Sequence, residues 1–86
     1  MNAMEKLTLS RLNDAIYQVL TETGAHVGNL KLISGRWKFK AIGYDDQGDV
    51  LPGGGPLTDR HNLGFDSLDE GLISQRLLAP PTPDRV

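Results

Sequence analysis

Asn29-Leu-Lys-Leu-Ile33, Ser34-Gly35 and Arg36-Trp-Lys-Phe-Lys-Ala-Ile-Gly-Tyr44 form the stretch that decides the fold. Both long runs alternate with period two, the pattern of a strand with one covered face. Ser-Gly between them fits a two-residue hairpin turn. That turn sets a register in which Ile33 faces Arg36, Leu32 faces Trp37, Lys31 faces Lys38 and Leu30 faces Phe39. In this register Leu30, Leu32, Trp37, Phe39 and Ala41 share a face. A slip of one residue would scatter them, so turn and pattern support each other. Trp37 is therefore expected in the core.

On the N-terminal side, Leu9, Leu12, Ile16, Val19 and Leu20 recur at i, i+3, i+7, i+10 and i+11. That spacing predicts an amphipathic helix over about 9–23. Thr8 or Ser10 would be its N-cap and Gly24 its left-handed C′ residue. On the C-terminal side, Asp45-Asp46-Gln47-Gly48 reads as a turn closed by glycine. Asp49-Val50-Leu51 would be a short third strand, ended by Pro52, which has no N–H to donate. Residues 52–66, with Gly53-Gly54-Gly55 between prolines, show no period. So long a loop marks a functional segment, a mobile one, or an element hidden from periodicity. Ser67-Leu-Asp-Glu70 reads as a capping box opening a second helix over 67–78, with Leu68, Leu72, Ile73 and Leu77 on its apolar side.

The expected fold is α+β. The element order is α-β-β-β-α, a three-stranded antiparallel sheet with both helices packed on its Leu30/Trp37/Phe39 face. Residues 1–7 would be a flexible N-terminus, 8–78 the domain, and 79–86 a disordered Pro-rich tail. This element order is similar to that of double-stranded RNA-binding domains. Those carry a lysine cluster opening the second helix, where the dipole adds to phosphate attraction. Here that position is the acidic Ser67-Leu-Asp-Glu70, which repels phosphate, so the family is not assigned.

The chain has 86 residues, no cysteine and a formal net charge of −2. No disulfide and no Cys-based zinc site can form. No apolar run reaches the roughly 20 residues of a membrane span, and the first residues lack the apolar core of a signal peptide. A cytoplasmic location is expected, with no cofactor and no membrane partner. The charge is uneven: residues 1–44 carry six basic and three acidic side chains, and residues 45–86 three basic and eight acidic. Such asymmetry can mark a partner-binding surface.

The outer sheet face carries a basic patch of Lys31, Lys38 and Lys40, with Arg36 at the hairpin end. It also carries the apolar residues Ile33, Ile42, Tyr44 and Leu51. An uncovered face of that kind is expected to meet a partner. The first expectation is a small non-enzymatic protein-interaction domain, self-associating as a homodimer through this face or binding another protein. The alternative is a nucleic-acid-binding accessory protein using the lysines. A third option is an enzyme with its site in the 52–66 loop. There Asp59, Arg60, His61 and Asn62 form the densest polar cluster, and Asp59 could orient His61 for acid–base work. The glycines lack the Gly-Lys-Ser/Thr of a phosphate loop. Asp45-Asp46-Gln47-Gly48-Asp49 lacks the spacing of a calcium loop, and a zinc site would need His26, His61 and distant carboxylates to converge. No metal site and no catalytic residue is assigned.

Overall fold

The computed structural model describes residues 6–78. The elements are β1 (Leu7–Asn13), β2 (Ile16–Thr21), β3 (His26–Ile33), β4 (Arg36–Tyr44), β5 (Val50–Pro52), a 3-10 turn at Thr58–Arg60, β6 (Gly64–Phe65) and α1 (Glu70–Leu78). The strands form one antiparallel sheet in the order β1-β2-β3-β4-β5, and β6 also pairs with β4. The three-stranded sheet with two helices is therefore overturned, and with it the likeness to double-stranded RNA-binding domains. The expected tail 79–86 and most of the expected flexible N-terminus lie outside the described residues. Leu7, assigned to that N-terminus, instead opens β1 and is 1% exposed.

The segment 9–23 is a hairpin, not a helix. Two periods coexist in it. Leu7 and Leu9 alternate toward the core and lie opposite Thr21 and Val19. Leu12, counted on the helical stripe, is 56% exposed beside the turn. The deciding signal is Asn13-Asp14: the Asn13 Oδ1 accepts the Ala15 N–H at 2.8 Å, an Asx turn that breaks any helix there. An ion pair between Arg11 and Asp14 spans the same turn. Thr8 and Ser10, expected as caps, lie within β1. Gly24 does adopt positive φ, +88°, but it closes the β2–β3 turn and donates to the Thr21 carbonyl.

The β3–β4 hairpin forms in the expected register, with Leu32 opposite Trp37 and Leu30 opposite Phe39. Ser34 and Gly35 have φ of 51° and 81°, the two left-handed residues of a type I′ turn whose twist matches the strands. Trp37 is buried, and Tyr17 meets it edge-on at 5.5 Å. Phe39 is fully buried across β3, its ring lying where a Cβ on Gly28 would stand. One extra residue, Val27, bulges β3 against β2 and is itself buried.

Residues 52–66 contain the hidden elements. Gly53 donates to the Ala41 carbonyl, and the chain then crosses β4 so closely that a Cβ on Gly43 would lie 2.5 Å from the Gly55 nitrogen. Leu57 drops into the core, and Asn62 to Phe65 return along β4, delivering Phe65 opposite Trp37.

The helix is shorter than expected and capped differently. Asp69 Oδ1 accepts the Leu72 N–H at 3.1 Å. Glu70 does not turn back to Ser67. Its carboxylate accepts the Leu9 N–H at 2.9 Å, and the Ser74 hydroxyl accepts the Leu7 N–H at 2.9 Å. Helix side chains thus cover two outward-facing donors of the β1 edge, while Ile73 and Leu77 fill the core.

Two outcomes follow for chemical denaturation. Ser74→Ala leaves the buried Leu7 N–H without an acceptor and is expected to cost about 1–3 kcal/mol. Glu70→Gln, which keeps an acceptor oxygen, is expected to change stability far less. Gly55→Ala must hold φ near +86° and drive a Cβ into the Ile42 carbonyl. A loss of about 3 kcal/mol or more is expected, against a much smaller one for the neighbouring Gly54→Ala. Equal midpoints for the two glycine variants would contradict the crossing.

Candidate functional site

The outer sheet face is built by register. Ser10 pairs with Gln18, Gln18 with Asn29, and Asn29 with Lys40, giving a polar row across four strands. The adjacent row runs Ile16, Lys31, Lys38. Lys31 and Lys38 stand directly opposite each other, and like charges so placed destabilise a strand pair. Among the described residues neither side chain has an ion-pair or hydrogen-bond partner. Lys40 donates to Asn62 Oδ1. Arg36 stands apart from this group, paired with Asp66 at 3.3 Å at the hairpin end.

Of the apolar candidates, Ile33 and Tyr44 are exposed on this face, at 41% and 48%, and Ile42 is half-buried. Leu51 is not with them. It pairs with Gly43, which puts it on the opposite face, and Val50 and Pro52 take its place beside Tyr44 and Ile42. Tyr44 also has a polar role: its hydroxyl lies 3.0 Å from His26 Nδ1. His26 Nε2 lies 2.8 Å from Asn29 Oδ1. A carbonyl oxygen can only accept, so Nε2 carries the proton there. In the sequence alone His26 stands out only as a remote zinc ligand, and no motif marks Asn29, Val50 or Pro52 as site residues. Their common signal was parity, since Asn29 alternates with Lys31 on the same strand.

The loop cluster separates into different tasks. His61 Nδ1 accepts the Ala41 N–H at 3.0 Å, between the stretches where β5 and the returning chain pair with β4. The other ring nitrogen is thereby fixed as the donor in neutral imidazole. Asp59 is exposed, and among the described residues no hydrogen bond joins it to His61. The acid–base pair expected there is not assembled. Arg60 Nε reaches the Arg76 carbonyl at 3.4 Å. No group of three metal-ligating side chains occurs among the described residues, and none of their helices is long and apolar enough to cross a membrane.

Where His61 meets the sheet, a concavity of about 290 Å³ opens on the outer face. Asn29, Lys31, Lys40 and His61 contribute its polar lining, and Ile42, Val50 and Pro52 its apolar side. No family model, no curated protein and no solved structure matches the chain.

His61→Phe removes the acceptor that serves β4 in mid-strand. Hydrogen exchange of the Ala41 amide is expected to accelerate, with the Leu30–Phe39 region unchanged. Unchanged exchange at Ala41 would mean that His61 does not hold this edge.

Proposed function

We propose that this chain is a protein-interaction module that binds an acidic segment of a partner protein on its outer sheet face. The observation that carries the proposal is the directly opposed pair Lys31 and Lys38. With Lys40 it forms a cationic group that pairs with no carboxylate among the described residues, next to exposed Ile33, Tyr44 and Val50. An acidic segment would relieve the repulsion between the lysines, while their stems and the neighbouring apolar side chains supply area to bury. The apolar neighbours favour a protein over a phosphate backbone, and so does a net charge of −2. A symmetric contact between two copies would bring the lysine groups together, which weighs against self-association through the centre of this face. The absence of cysteine suits a reducing cytosol as the setting.

The test uses a fluorescent peptide alternating glutamate with leucine and its lysine counterpart, titrated with the full chain. The acidic peptide is expected to bind, weakening as salt rises, and the basic one not to bind. Lys31→Glu with Lys38→Glu should abolish binding while leaving the thermal midpoint within a few degrees, since both side chains are unpaired at the surface. Indifference to peptide charge would overturn the proposal. Tighter binding to single-stranded nucleic acid, or a doubled mass in light scattering that Ile42→Asp with Tyr44→Asp returns to monomer, would do so as well.

A further inference from the structure

We infer that the concavity between Lys31, Lys40, Asn29 and His61 is a binding site for a single oxyanionic group, a carboxylate or a phosphate, carried next to an apolar moiety. The inference rests on the hydrogen-bonding state of each polar lining group. Asn29 Oδ1 is occupied by the His26 Nε2–H, which leaves the Asn29 side-chain N–H groups available. His61 Nδ1 is occupied by the Ala41 N–H, which leaves Nε2–H available. Lys31 has no partner among the described residues, and Lys40 uses Nζ on Asn62 alone, although an ammonium has three donors. The polar side chains of the lining therefore offer mainly donors, because both of their acceptor atoms already hold a hydrogen bond, and among the described residues no carboxylate lines the site. A group surrounded by donors and positive charge must itself be an acceptor with negative charge, and an oxyanion accepts several such bonds at once.

The second half of the inference comes from the apolar part of the lining. Ile42, Val50 and Pro52 are apolar, and Pro52 has no N–H to offer. Val50 is 50% exposed there. A free inorganic anion would leave this wall wet, whereas an anion with an apolar substituent would cover it. The Tyr44–His26–Asn29 chain supports the site, because it fixes which end of the Asn29 amide is left free to donate.

This inference deepens the proposed function, since the acidic side chain of a docked segment would be the group held here, and it can fail separately. The probes are phenylacetate and phenyl phosphate, followed by amide and side-chain NMR on the full chain, with acetate and inorganic phosphate as the unsubstituted controls. Saturable shifts are expected at the Asn29 side-chain amide, Ala41 and His61, with the aromatic member of each pair binding more tightly. The arm that saturates first tells carboxylate from phosphate. Lys40→Gln and Asn29→Leu should each weaken binding about tenfold, the factor expected for a lost charge-assisted or well-placed hydrogen bond. Lys38→Gln lies outside the lining and should weaken the acidic peptide more than the small anions. Linear, unsaturating shifts spread over all lysine-bearing strands, or equal affinity in Lys40→Gln, would overturn the site even if the peptide binds. Saturable anion binding without peptide binding would uphold the site and sink the interaction module instead.

Discussion

The constraint on which the structure depends is the outer edge of β4. That strand lies inside the sheet, with Phe39 fully buried, so its backbone donors and acceptors need partners along both edges. β3 serves one edge over most of its length. No single strand serves the other. β5 takes the end near Tyr44, the chain from Asn62 to Phe65 takes the end near Trp37, and a histidine ring fills the gap at Ala41. The glycines follow from this. The chain must leave β5, cross over β4 and come back alongside it within a few residues. Only a backbone without side chains at Gly43 and Gly55 permits the crossing. Leu57 and Phe65 are carried into the core by the same path.

The site is a by-product of that edge. His61 is where it is because the Ala41 N–H lacks a strand acceptor on that edge, and once there its ring lines the outer concavity together with Lys40. Structural need fixes the tautomer, and the tautomer determines what the concavity can accept. The lysine rows come from a different source, the parity of the β3–β4 hairpin, which places Lys31, Lys38 and Lys40 on the face away from Phe39.

The two sources explain what could be read from the residues alone. The hairpin was legible because a two-residue turn and an alternating pattern agree, and its register fixes the face of every lysine. The segment 9–23 was misread because Leu9, Ile16 and Val19 satisfy a helical period, although in the strands Leu9 and Val19 face the core and Ile16 the outer face. The Asn13-Asp14 turn that separates the two strands was overlooked, as was the alternation of Leu7 and Leu9. The pocket was illegible for a further reason. Asn29 and His61 are far apart in the chain, and nothing periodic in residues 52–66 announces that the chain doubles back along β4. Leu51 was put on the wrong face because β5 pairs by way of Gly43, one residue out of phase with the expected parity.

Ser74 and Glu70 engage the β1 edge with side-chain oxygens rather than with a strand. Such a cover is only as durable as one short helix with a glycine in its first turn. If that helix frays while the sheet stays folded, the Leu7 and Leu9 donors become free together with the apolar surface beneath Ile73 and Leu77. The resulting species has an open template for another chain to extend, which is how intact sheets begin to polymerise. Local opening at α1 therefore exposes a strand edge that another chain can extend, without requiring the β3–β4 hairpin to unfold.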